Sequence, residues 1–248
     1  MQPNAAKGVA LVVGAGDFIG GAIAKRFAAG GYLAAVARRH GEKLAPLVKE
    51  IEQAGGRAQA LGLDAREEEQ VEAAFAQIER ELGPIEVAIF NVGANVNFPI
   101  RDTTARVFRK VWEMACFGGF LTGREAAKVM VPRGRGSIFF TGATASLRGG
   151  KGYAAFASAK FGLRALAQSM ARELGPQNIH VAHLVIDAGV DTAWVRERIR
   201  ASGRDPEALP FGTLMDPVSV GETYWALHRQ PRDAWTFELE IRPHGETW

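Results

Sequence analysis

Val9-Ala10-Leu11-Val12-Val13-Gly14-Ala15-Gly16-Asp17-Phe18-Ile19-Gly20 is the stretch that decides the fold. Val9–Val13 is a short apolar run rich in β-branched residues, the pattern of a strand buried on both faces. Glycines follow it, and then Ile19, Ile23 and Phe27 recur every four residues with Lys25 and Arg26 between them. That spacing lays one apolar face along a helix, which Gly30-Gly31 stops. A strand, a glycine turn and an amphipathic helix in this order bring backbone N–H groups and the positive end of the helix close to a phosphate. The six-residue dinucleotide fingerprint is not met, because its third glycine falls on Ile19.

Outward from this unit, strand and helix signals alternate. Residues 33–37 predict a second strand. Leu44, Leu47, Val48 and Ile51 mark a second helix ended by Gly55-Gly56, and residues 58–63 a third strand. Glu67, Glu68 and Glu69 sit where a helix N-terminus favours acid. Val71, Phe75, Ile78 and Leu82 give that helix its core stripe. Residues 85–90, 137–141 and 179–186 predict further strands, with a long helical stretch over 104–130 and another over 153–174. Asp216-Pro217 reads as an N-cap followed by an N1 proline, opening a helix that reaches His228, and residues 235–241 predict a last strand.

This alternation implies an α/β chain, with residues 1–248 forming a single domain. Its expected core is a Rossmann-type, doubly wound parallel sheet of about seven strands in the order 3-2-1-4-5-6-7, with helices on both faces. Residues 192–215, rich in Arg, Gly and Pro, follow the sixth strand, where a lid over the carboxyl ends of the strands is expected.

Composition excludes several classes. A hydrophobic fraction of 47% and a charged fraction of 23% are ordinary for a globular chain and argue against disorder, collagen and coiled coil. One cysteine, Cys116, permits no intramolecular disulfide and no Cys/His zinc cluster, so no metal is expected and a reducing, cytoplasmic setting is. The net charge of +3 is spread along the chain, and Arg196, Arg198 and Arg200 read as a solvated helix face, so nucleic acid is not an expected partner. No apolar run nears the ~18 residues of a membrane span, and the polar residues 1–7 carry no signal-peptide pattern.

Further motifs make the chain resemble the short-chain dehydrogenase/reductase family. Gly14 and Gly20 match the outer positions of that family's Gly-x-x-x-Gly-x-Gly turn, and Phe18 stands at the middle one. Leu63-Asp64-Ala65 falls where the family has an Asp that meets the adenine. Phe90-Asn91-Val92-Gly93 resembles its Asn-Asn-Ala-Gly, Ala157-Ser158-Ala159-Lys160 the end of its Tyr-x-x-x-Lys helix, and Val190-Asp191-Thr192 the segment after its sixth strand. The resemblance implies a nicotinamide cofactor held by Gly14, Gly16, Asp17, Phe18, Ile19, Gly20, Asp64, Ala65, Asn91, Gly93 and Lys160. Charge chooses the cofactor. The second strand ends Ala37-Arg38-Arg39, and two guanidinium groups suit a 2′-phosphate, so NADP (NADPH) is expected over NAD.

The same resemblance exposes a departure. With Lys160 setting the register, the family's proton-donating Tyr falls on Phe156, its Ser on Ala143 and its relay Asn on Cys116. Phe has no proton to give and Ala no hydrogen bond to offer. Three readings stay open. In the first, the chain is a hydride-transfer enzyme acting on a small carbonyl, alcohol or enoyl substrate with a relocated donor. Tyr153, one helical turn before Phe156, is the candidate beside Lys160, and Tyr-x₆-Lys resembles the spacing of the divergent enoyl reductases. Thr141, Thr144, Ser146, His183 and Asp187 are lesser candidates. In the second, the chain binds NADP(H) without chemistry, as a sensor or partner subunit. In the third, Phe18 turned inward blocks the cofactor. Small residues at 154, 155, 157, 159 and 162 allow close helix approach, and the resemblance implies a homodimer or homotetramer. Trp225, Trp235 and Trp248 serve either a second interface or the core.

Overall fold

The computed structural model describes residues 7–16 and 18–245. Seven strands form one parallel sheet: β1 (Val9–Val13), β2 (Leu33–Arg38), β3 (Arg57–Gly62), β4 (Ile85–Phe90), β5 (Ser137–Thr141), β6 (His180–Ile186) and β7 (Glu238–Ile241). Their order is β3-β2-β1-β4-β5-β6-β7, the order expected of the Rossmann-type fold. Every neighbouring pair is parallel.

Successive side chains of a strand face opposite ways, so each central strand feeds two cores. Leu11, Val13, Phe90 and Phe140 pack against α3 (Glu68–Glu81), α5 (Gly118–Met130) and α6 (Ala154–Leu174). Ala10, Val12, Ile89 and Phe139 pack against α1 (Ile19–Ala29), α2 (Ala45–Gln53) and α8 (Pro217–His228). All five residues of β1 are buried, each large one contributing about 1.5–3 kcal/mol of apolar burial. The order reverses between β1 and β4, and a crevice opens there at the carboxyl ends of the strands.

Two local expectations need correction, while the stretch over 104–130 is helical as expected, running through α4 (Ala105–Trp112), a π-helical turn at Glu113–Phe117 and α5. Thr104 is the N-cap of α4, its hydroxyl accepting the Val107 N–H at 3.2 Å. β7 begins at Glu238, not 235, because side chains take the preceding backbone groups. The Thr236 N–H donates to Gln230 Oε1 at 2.8 Å and its carbonyl meets His180 Nε2 at 2.9 Å. Residues 192–215 are more regular than their composition suggests. They hold α7 (Ala193–Ala201), capped by the Thr192 hydroxyl on the Val195 N–H at 3.1 Å.

Asp216 caps α8 through the Val218 N–H, with Pro217 at the first helical position, as the dipeptide suggested. Trp225 packs edge-on to Phe27 at 5.4 Å and Trp235 stacks on His180 at 4.9 Å, so both serve packing within this chain. Trp248 lies outside the described residues. No helix is long and apolar enough to cross a membrane among the described residues.

Candidate functional site

The crevice is built by backbone. Gly14 has φ +89, and a Cβ there would sit 2.8 Å from the Asn91 carbonyl group. Only glycine lets the β1 turn lie this close to the loop after β4. Asn91 Nδ2 then donates to the Gly14 carbonyl at 3.1 Å and locks the two together. A Cβ on Gly20 would lie 2.4 Å from that same carbonyl, so Gly20 is what seats α1 against the strand end. Gly16 faces open space. Among the described residues no side chain caps the N-terminus of α1, an end whose N–H groups favour an anion. Asp17 lies outside the described residues.

A cavity of about 250 Å³ runs from this turn to the ends of β2 and β3, and Gly14, Gly16, Arg38, Arg39, Asp64, Ala65, Asn91 and Gly93 all line it. Arg39 is exposed and has no ion pair among the described residues. Asp64 is already engaged. Its carboxylate accepts from Arg66 Nε at 2.9 Å and from the Arg66 backbone N–H at 3.1 Å, which holds it below the usual carboxylate range. His40 and Arg66 also line this cavity and were missed. The run Arg38-Arg39-His40 is the signal that could have found His40.

A second cavity, about 750 Å³, shares Gly14, Gly16 and Asn91 with the first. Phe18, Ile19 and Gly20 line it on one side, and Val190, Thr192, Trp194 and Arg198 come from the segment after β6. Phe18 is 37% exposed and also borders a groove against α8, so its ring stands on the ridge between two hollows and leaves the larger one open.

The third cavity, about 340 Å³, joins the second at Asn95 and Ala188. Ala143, Phe156 and Tyr153 meet here, together with Thr144 and Arg148. Two backbone-directed bonds hold its rim: Asn97 Nδ2 to the Lys151 carbonyl at 3.1 Å, and the Phe98 N–H to the Gly152 carbonyl at 2.8 Å. Tyr153 is the N-terminal boundary residue of α6, and its hydroxyl meets no hydrogen-bond partner among the described residues. The other candidate donors are committed elsewhere. Thr141 Oγ1 is 2.7 Å from the Tyr224 hydroxyl, and Thr144 donates to Asp187, whose carboxylate also meets Arg242 at 3.0 Å. The buried Ser146 hydroxyl accepts the Ala143 N–H at 3.1 Å. His183 Nδ1 donates to Glu238 at 3.1 Å, and burial pushes this imidazole down to about 4. Asn95 and Arg148 were missed; short loops gave them no periodic signal.

Lys160 lines none of the three cavities. It is 3% exposed, and its ammonium donates to the Thr141 carbonyl at 2.8 Å and the Val92 carbonyl at 3.4 Å. Burial pushes it down to about 8. Cys116 sits in the π-helical turn, its sulfur so close to α6 that a Cβ on Gly162 would lie 2.8 Å away. Burial raises its thiol, which suits packing rather than nucleophilic chemistry.

Comparison with known proteins agrees with this geometry. The family model for short chain dehydrogenase matches residues 8–202. The crystal structure of a short-chain dehydrogenase from Rhodopseudomonas palustris is 57% identical, covers 96% of this chain and 99% of its own, and superposes with a TM-score of 0.82. An actinorhodin polyketide ketoreductase solved with NADPH is 25% identical, with 95% of each chain covered and a TM-score of 0.87. A 3-oxoacyl-[acyl-carrier-protein] reductase of Bos taurus is 30% identical over 90% of this chain and 92% of its own length. The parallel order, the glycine turn against Asn91 and a match over most of its length make this chain a member of the short-chain dehydrogenase family of oxidoreductases.

Proposed function

We propose that the protein is an NADP(H)-dependent oxidoreductase for a small carbonyl, alcohol or enoyl substrate, with Tyr153 as its proton donor. One observation carries this reading: among the candidate donors, Tyr153 alone combines a place in the cavity with Ala143 and Phe156 and a hydroxyl not already bonded within the described residues. When bound, the nicotinamide supplies or accepts the hydride. The open Gly16 turn and uncapped α1 would hold the diphosphate, and Arg38 with Arg39 would hold the 2′-phosphate, a choice supported by the ketoreductase neighbour solved with NADPH. The Asn95 amide, at the junction of two cavities, would donate to a substrate oxygen in the role left empty at Ala143.

Oxidation of NADPH followed by absorbance over a panel of enones and ketones tests the activity. Loss of turnover in Tyr153→Phe with retention in Ser146→Ala is the expected pattern. Unchanged turnover in Tyr153→Phe would remove the assignment.

The second reading, an NADP(H)-binding homologue without chemistry, draws on Lys160. Its ammonium is spent on two carbonyls under Phe156 instead of facing the cavities. NADPH binding without turnover of any panel compound is its signature. In either reading residues 192–215 act as a lid and the protein works in the cytoplasm. It would pair into a homodimer or homotetramer through the partly exposed Phe108, Trp112, Phe120 and Phe161 of α4, α5 and α6.

A further inference from the structure

The segment after β6 carries Arg196, Arg198, Arg200 and Arg204, and the structure divides them into two kinds. Arg196 is tied to Asp191 at 2.5 Å and to Glu207 at 2.8 Å, and Arg200 lies 3.5 Å from Glu207. Arg198 and Arg204 have no carboxylate partner among the described residues. Arg198 rests on the Trp194 ring, 4.7 Å from its centre, and the Arg204 guanidinium donates, among the described residues, to the Ser202 hydroxyl at 3.3 Å. These two line the 750 Å³ cavity that also holds Gly14, Gly16 and the start of α1, whereas Arg196 and Arg200 do not.

Unneutralised guanidinium groups crowded on one short segment repel each other, and an anion between them and a helix N-terminus relieves that repulsion. The first turn of α1, which has no side-chain cap among the described residues, would bond one side of a diphosphate. Arg presents paired N–H donors that match phosphate oxygens. The cavity with Tyr153, where a substrate would react, joins this one at Asn95 and Ala188, and neither arginine lines it. We infer that Arg198 and Arg204 bind the diphosphate of the dinucleotide from the segment after β6, on the far side from the glycine turn. This rests on the reading of the cleft as a dinucleotide site.

The test is equilibrium binding by calorimetry, without turnover. Both arginines are exposed, so Arg198→Gln/Arg204→Gln is expected to fold as the parent does, which a melting curve checks. Each lost charge-assisted bond weakens NADPH by about tenfold. Adenosine 2′-phosphate, which has no diphosphate, binds both proteins equally, and Arg198→Lys/Arg204→Lys recovers part of the NADPH affinity. NADPH bound equally by parent and Gln variant would overturn the inference, as would an equal loss for adenosine 2′-phosphate. A parent protein that binds neither compound would overturn the dinucleotide reading itself.

Discussion

Lys160 Nζ lies 5.9 Å from the centre of the Phe156 ring, one helical turn away on α6. Where the family sets a phenol beside this lysine, the ring here offers only its face. Phe156 also borders the cavity that holds Ala143. Replacing both, Ala143→Ser with Phe156→Tyr, restores a hydroxyl pair at those positions. In a Tyr153→Phe background, ketone reduction with NADPH is expected to rise by about 10²–10⁴-fold, the span a general acid is worth. Steady-state rates on a simple ketone check this, and no gain in that variant when folded would show that Lys160 is too deeply held to support such a pair.

Arg39 lines the cleft at the ends of β2 and β3 without an ion pair among the described residues. Arg39→Ala should weaken NADPH about tenfold and leave NADH within about twofold, since only NADPH carries the 2′-phosphate. Equal losses for both cofactors in a binding titration would remove Arg39 from that role.

Gly14→Ala should be among the most damaging single-methyl changes. The left-handed φ costs roughly 1–2 kcal/mol, and the new Cβ lands 2.8 Å from the Asn91 backbone. A clear fall in the urea midpoint is expected, with weaker NADPH binding in the protein that remains folded. A melting curve identical to the parent would contradict the close approach.

Stability should fall in mild acid. Burial pushes His183 and His228 down to about 4 from an ordinary 6.5. The unfolded chain therefore binds more protons between about pH 6.5 and 4, so folding loses free energy as pH drops through that window. Each histidine adds a slope of up to ~1.4 kcal/mol per pH unit. His228 bonds the Tyr32 hydroxyl at 2.7 Å and Ser137 at 3.0 Å, so His228→Gln keeps polar partners while removing its titration. Urea midpoints across the window should decline less steeply in His228→Gln than in the parent. Parallel declines would assign the acid sensitivity elsewhere.

Some of this was legible residue by residue. Short continuous apolar runs mark every central strand and the period-four apolar pattern marks the helices, because burial on both faces or on one face is a local property of spacing. The boundaries that failed did so through distant side chains: Gln230 and His180 take the Thr236 backbone groups that would have lengthened β7. The π-helical turn at Glu113–Phe117 leaves no mark in the apolar period of that stretch.

The chemistry divides along the same line. The family resemblance, with Lys160 setting the register, implied that Phe156, Ala143 and Cys116 stand where Tyr, Ser and Asn are expected, and that reading needs only the residue identities along the chain. Which hydroxyl stays unbonded depends on partners brought from far along the sequence, and which of four arginines lack an acid depends on how the segment after β6 folds back on Asp191 and Glu207. Thr144 is bound by Asp187 and Thr141 meets Tyr224, whereas Tyr153 is left facing a cavity. A hydrogen bond or an ion pair needs its atoms within a few ångströms, and only the folded sheet sets those distances.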